Sequence, residues 1–297
     1  MSKLGRVSET LSDNFDEDLL LQEPISVWRR TFKRLLSRRS GKIGLFLIGF
    51  IFLIAFTAPI IAPYDPHEVL IGKEIVKLKK REGPCIHMLG CDSAKPQHIM
   101  GIDGNYRDQF SRIIYGSRIS LSIGFSTVSF AVVGGVLLGA LAAFFGGWID
   151  NIIMRVMDVI LGFPSLLLAI AIVAVLGPGI RNALLAIAIV TLPAYARLTR
   201  ASVLTVKELD FVKASIALGA SPTRLLLFRI LPNSLTPVVV LATLGIATAI
   251  LDAAGLSFLG LGAQPPTPEW GTMLGSERNQ VFSAPHLVFF PGIAIMI

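Results

Sequence analysis

Charge is what this sequence has least of. Asp, Glu, Lys and Arg make up 16% of its 297 residues, against roughly 25% in an ordinary soluble domain. Hydrophobic residues make up 53%, and the mean hydropathy is +0.68. The shortage is local. None of those four residue types occurs between Lys42 and Asp65, Arg118 and Asp150, Asp158 and Arg181, or Arg229 and Asp252. Each gap accommodates the roughly 20 residues with which a helix crosses a bilayer core. A soluble enzyme and a nucleic-acid binder are therefore excluded. An outer-membrane barrel is excluded too, because its strands would alternate polar and apolar every second residue. The net charge of +7 is what cationic flanks on membrane helices produce. The expected partner surface is membrane lipid, with no nucleic acid.

The fold class expected is all-α integral membrane, with six hydrophobic segments. They are Ile43–Pro63, about Ile119–Phe145, about Val159–Leu176, about Asn182–Val203, about Ile230–Leu251, and a last one from near Pro285. Only 13 residues follow Ala284, about 20 Å of helix, so an incomplete sixth helix is expected. The first segment follows Arg29, Arg30, Lys33, Arg34, Arg38, Arg39 and Lys42, a cluster that stays in the cytoplasm under the positive-inside bias. That run starts too late and is too long for a cleaved signal peptide. Residues 1–23 carry two basic and six acidic side chains and read as a flexible tail. Residues 177–182 and 253–284 hold one basic residue each, whereas 197–229 hold six. The first two are expected outside and the third inside, with both termini cytoplasmic. The 64–118 connection carries nine basic residues, but long translocated loops escape the rule.

Cysteine is scarcer still, at two residues, Cys85 and Cys91, both within the 64–118 connection. That connection is too long for a plain helix link and should hold structure of its own. In an oxidising compartment the two thiols can close a small ring. Free thiols remain open as a reading, as does a metal site drawing on His87 and His98. The spacing matches no familiar zinc pattern.

The inner connection carries the most information. Leu209, Val212, Ile216 and Ala220 follow helical spacing, predicting an amphipathic helix over 205–218 along the membrane face. Gly219 falls where that helix should end in a left-handed cap. Ser221 and Pro222 read as an N-cap followed by proline at the first helical position, and Pro232 closes the unit. The result is a helix–glycine–helix elbow. It either lies on lipid or docks into a groove on a cytoplasmic partner, with small residues such as Ala214, Ser215, Ala217 and Ala220 permitting close approach.

Four stretches carry a family resemblance. Lys213-Ala214-Ser215-x3-Gly219, followed by Leu231-Pro232, resembles the "EAA" loop of the membrane subunits of bacterial ABC importers. His98–Leu121 resembles the stretch before that family's second helix, Met154–Ala169 its third-helix entry, and Leu256–Leu274 the outer loop after its fifth helix. Taken in order, they identify the chain as similar to the C-type permease subunits of dipeptide, oligopeptide and nickel importers. The likeness covers nearly all of the chain from about Ser26. Lys213, Ser215 and Arg229 depart from the family's usual Glu, Ala and Ile, and the stretch between Pro84 and Ala94 lies outside its core pattern.

The resemblance implies a six-helix, type I importer-like permease with a cytoplasmic coupling elbow and a long external loop between its first two helices. It divides the chain into a cytoplasmic tail and basic flank (1–42), a first transmembrane helix (43–63), an external loop region (64–118) and a permease core (119–297) with a coupling loop at 205–229. It implies a homologous second permease, two cytoplasmic ATPases and an external substrate-binding protein, in the inner membrane. No G-x4-G-K-[ST] run occurs in the chain, so ATP and Mg belong to the partner subunits and no cofactor is expected here. ATPase coupling falls to Glu208, Asp210, Lys213, Ala214, Ser215, Leu218, Gly219, Ala220, Ser221, Pro222 and Arg224. The substrates implied are di- or oligopeptides, with nickel or another small solute as the alternative.

Two rival classes have less to stand on. A membrane enzyme needs acids, His or Ser gathered at one depth, and Asp158, Asp252 and His286 stand apart in sequence. A secondary transporter usually shows internal repeats, and none is visible. Asp252 is expected at the outer end of the fifth helix. There it is either a solvated interfacial acid or a pathway group that meets a peptide's ammonium terminus.

Overall fold

The structure, a computed structural model, describes residues 36–73 and 78–297. The tail expected at 1–23 and the basic residues Arg29–Arg34 lie outside the described residues. The chain divides into two units, Met1–Leu53 and Ile54–Ile297. The described part of the first is chiefly the beginning of helix α1 (Arg39–Ile61), an unbroken apolar run on which Phe46 stacks against Phe50 with ring centroids 6.2 Å apart.

The second unit is built on α2 (Gln109–Phe145), which starts ten residues before the apolar segment does. Asp108 caps it, accepting from the Ser111 backbone N–H and hydroxyl, both at 2.7 Å, as a capping aspartate should. Gly146 and Gly147, both left-handed (φ 63° and 57°), end α2 and turn the chain. Helices α3 (Gly147–Leu161) and α4 (Ser165–Leu176) follow, bent by 94° at the break between them. The expected continuous third segment is thus corrected to a broken one. Pro164 lacks an N–H and disfavours helix at Phe163, so an uncharged run is not a straight helix here.

Helix α5 (Ile180–Lys207) runs parallel to α2, and the contact depends on glycine. A Cβ on Gly135 would meet the Tyr195 Cβ at 2.5 Å, and one on Gly139 would strike the Ala196 carbonyl oxygen. Small residues that let backbones approach are how helices associate without a hydrophobic driving force in lipid. Helix α6 (Asp210–Ala217), α7 (Pro222–Leu225), a π turn (Leu226–Ile230) and α8 (Leu231–Ser234) form the inner connection. Helix α9 (Thr236–Phe258) returns antiparallel to α2, and its Ile250 side chain fills the space over Gly124. Pro232 and Pro237 split the expected fifth segment, which begins at Thr236 and not Ile230. The short α10 (Trp270–Ser276) and α11 (His286–Met296) complete the order.

Among the described residues four helices, α1, α2, α5 and α9, are long and apolar enough to cross a membrane, and the bent α3–α4 pair brings the number to five where it counts as one broken span. Beyond a small cluster of Ile113, Trp270 and Met273 near the start of α2, three apolar clusters run along the second unit. Ile123, Val173, Ile187 and Leu256 fill one end, Val128, Tyr195, Val238 and Ala249 the middle, and Ala140, Val203, Val212 and Ile230 the other end.

Candidate functional site

The elbow is anchored by its apolar side. Val212 of α6, Leu225 of α7 and Ile230 of the π turn are buried against Ala140 and Ala143 of α2 and Val203 and Val206 of α5. Its outer side is left open. Leu218 is 87% exposed and Phe228 72%, flanking a cavity of about 630 Å³ whose walls include Ser215, Gly219, Ser221 and Arg224. A rigidly seated element with a hydrophobic outer face is the form a docking surface takes.

Its corner has defined backbone chemistry. The Ala220 N–H donates to the Ser215 carbonyl at 3.1 Å and the Gly219 N–H to the Ile216 carbonyl at 2.9 Å. Gly219 has φ +81°, so the turn is a Schellman cap with glycine at the left-handed position. A Cβ on Gly219 would meet nothing within 4 Å. Pro222 occupies the first turn of α7 as expected, but the Ser221 hydroxyl makes no capping bond. The expected single helix over 205–218 is two. The part through Lys207 is the end of α5, Glu208 caps it, and Leu209 is extended (φ −71°, ψ 148°) before Asp210 opens α6. Of the expected apolar face only Val212 is buried, with Leu209 and Ile216 open. Pro232 sits inside α8 and does not close the unit. Lys213 and Ala214 are exposed, and Lys213 pairs with Glu208 at 3.6 Å across the kink. Ile230 is buried where Arg229 beside it is exposed.

The opposite end of the unit carries a polar network that sequence reasoning missed. Arg112, 3% exposed, donates to the Pro66 carbonyl at 2.8 Å and the Pro266 carbonyl at 3.2 Å, and lies 3.5 Å from Asp103. Asp103 also holds Arg107 at 2.7 Å. Glu277 accepts from Arg81 at 2.8 Å and from the Gly104 N–H at 3.0 Å. His98, stacked on Tyr64, bonds to Asp108 at 2.9 Å. These bonds stitch the 64–108 loop to the 259–277 region. The signal was in the sequence only as a dense run of charge in Gly101–Arg118.

Cys85 and Cys91 are joined by a disulfide, with Cα atoms 5.4 Å apart, at the rim of this loop. Nearby, burial opposes ionisation of Glu82, but the Lys79 N–H and the Lys95 ammonium outweigh it and hold its carboxyl below the usual range.

Three acids fall in the apolar helices. Asp150 is gripped by Arg200 through both oxygens at 2.5 Å, and Asp158 pairs with Arg197. Asp252 has no ion-pair partner among the described residues. It is half-buried and lies within α9, six residues before the helix ends at Phe258, and not at its terminus as expected.

Residues 135–297 match the family model described as the binding-protein-dependent transport system inner membrane component, and residues 26–79 match that of the N-terminal TM domain of oligopeptide transport permease C. The chain belongs to the first of these families. The permease is 45% identical to a dipeptide transport system permease protein of Alkalihalophilus pseudofirmus, over 92% of its own length and 84% of that protein's. It is 40% identical to a glutathione transport system permease protein of Pectobacterium atrosepticum, over 91% and 84%. An inward-facing structure of the MetNI methionine ABC transporter superposes with a TM-score of 0.52 at 18% identity, covering 62% of the permease and 88% of that chain. That likeness is one of fold. The permease's family is one of inner-membrane transport components, not of enzymes.

Proposed function

We propose that this chain forms half of the translocation pathway of an ABC importer for di- or oligopeptides, paired with a homologous second permease. Two cytoplasmic ATPases supply ATP and Mg, and an external binding protein delivers the substrate. The relatives named for dipeptides and glutathione, itself a short peptide, support the substrate class, and no relative reported above favours nickel. The remaining details of the reading are six membrane crossings, with α11 contributing the sixth, both termini cytoplasmic, and the 64–118 loop with its Cys85–Cys91 bond outside.

The observation that carries the coupling role is the elbow. Its inner side is fused to α2 and α5 by an apolar cluster, and its outer side presents Leu218 and Phe228 to a partner. A force on the elbow is passed to α5 without a flexible link, because only Glu208 and Leu209 intervene. Asp252 is read as a pathway group that meets a substrate's ammonium terminus.

Gly219→Val tests the coupling role. A side chain at φ +81° costs on the order of 1 kcal/mol in backbone strain, and the branched group projects into the open space a partner would fill. Expected are normal membrane levels, reduced recovery of the ATPases in a pull-down, and reduced uptake of a labelled dipeptide. Unchanged recovery together with unchanged uptake would show that the elbow is not the coupling surface.

A further inference from the structure

Helix α3 is attached to its unit differently from its neighbours. Of its fifteen residues only Met157 is buried, whereas α5 buries eleven. Beside the half-buried Ile149, Ile153 and Ile160, two charge pairs tie α3 to α5. Asp150 grips the Arg200 guanidinium through both oxygens, and two turns further along Asp158 pairs with Arg197. Both ends of α3 are joints, the left-handed pair Gly146–Gly147 at one and the 94° break at Gly162–Pro164 at the other. Its remaining face is an exposed apolar stripe of Trp148, Ile152, Val156 and Val159, spaced three and four apart along one side of the helix.

We propose that α3 is a movable strut, latched to α5 by the Asp150–Arg200 and Asp158–Arg197 pairs, and that the latch opens and closes as the elbow moves α5. A carboxylate–guanidinium pair in a low-dielectric setting opens only where water or a new partner can reach it. These two pairs are graded in that respect. The Arg197 and Asp158 side chains are 50% and 48% exposed, and those of Arg200 and Asp150 35% and 16%. The outer pair is accessible and the inner pair shielded, the order in which a latch unzips. The closed latch restrains α5 and, through Glu208 and Leu209, the elbow. This rests on the reading of the elbow as the ATPase contact.

The test uses the complete transporter, with its second permease and ATPases, in nanodiscs. Basal ATP hydrolysis is measured without substrate or binding protein, so that the identity of the substrate does not enter. Asp150→Asn and Arg200→Gln each should raise the basal rate about threefold or more, and the exchanged pair Asp150→Arg with Arg200→Asp should return it to within about twofold of wild type, as coupled residues do in a double-mutant cycle. Single variants at the wild-type rate, or an exchange no better than the singles, would overturn the proposal.

A second measurement leaves the pairs intact and covers the case in which a variant fails to assemble. Spin labels at the exposed positions Ile152 and Leu204 report the α3–α5 distance in nucleotide-free and vanadate-trapped states, the native cysteines being bonded to each other and silent to the label. A change on the order of 5 Å, one helical turn, is expected, and an unchanged distance overturns the latch. The Gly219→Val pull-down reads ATPase docking without reference to α3, so an unchanged distance alongside lost docking in that variant is failure of the latch alone, and unchanged docking there is failure of the elbow reading.

Discussion

Glu269 is 2% exposed, a burial few carboxylates tolerate. It tolerates it because its two oxygens accept from the Gly271 N–H at 3.0 Å, the Thr272 N–H at 2.8 Å and the Thr272 hydroxyl at 3.0 Å. It thereby caps α10 and fixes Trp270, whose indole N–H donates to the Ile113 carbonyl of α2 at 3.0 Å. Glu269→Ala leaves those buried donors unsatisfied, at a cost of about 1–3 kcal/mol. Expected is a clear drop in the thermal midpoint of the purified transporter, smaller for Glu269→Gln, which keeps one acceptor oxygen. An alanine variant that melts with the wild type would remove Glu269 from this role. This cap was not legible beforehand, because an acid before a tryptophan has no periodic signature. Gly219 was legible, since a glycine at the end of an amphipathic run has few other uses. Ser221 shows the limit of that logic. Its position beside Pro222 is right for a cap, but its hydroxyl makes no such bond.

Among the elements, α2 and α5 set the frame, and their contact rests on particular glycines. Gly139→Leu drives a side chain into the Ala196 carbonyl oxygen and toward Thr199, where backbone cannot yield. Gly255→Ala on α9 meets only the end of Leu166, at 4.0 Å. The expected outcome is a severe loss of membrane-resident permease for Gly139→Leu and a normal level for Gly255→Ala, read by fluorescence-detected size exclusion. Equal levels for both would mean that the α2–α5 contact is not close-packed. The existence of α2 was legible from its charge gap and that of α5 from its apolar run despite Arg197 and Arg200, and their ends were not. A gap in charge ignores Pro164 and Pro232, so the third segment was drawn through a break and the fifth began too early. The apolar run likewise stops at Val203, although α5 continues to Lys207. Partners far apart in sequence were invisible as well. Asp158 and Arg197 stand 39 residues apart, and only the fold brings them together.

At the scale of the whole unit, function is divided between two ends. The elbow lies at the C-terminal ends of the parallel helices α2 and α5, and the stitched loop region lies at their N-terminal ends. An importer needs that division, because its substrate arrives on one side and its ATPases act on the other. In the topology proposed above, the basic residues of 197–229 put the elbow in the cytoplasm and the loop with its disulfide on the oxidising side. Two exposed positions make this measurable, Leu218 on the elbow and Phe282, fully exposed, after α10. A membrane-impermeant maleimide should label Phe282→Cys in intact cells. It should label Leu218→Cys only after permeabilisation, in cells lacking the ATPases so that docking does not shield the site. The native cysteines, bonded to each other, contribute no background. Substitution at either position removes an exposed side chain, so neither change disturbs the buried clusters that hold the unit together. Labelling of Leu218→Cys in intact cells would place the elbow outside, and an outside elbow has no ATP to answer to.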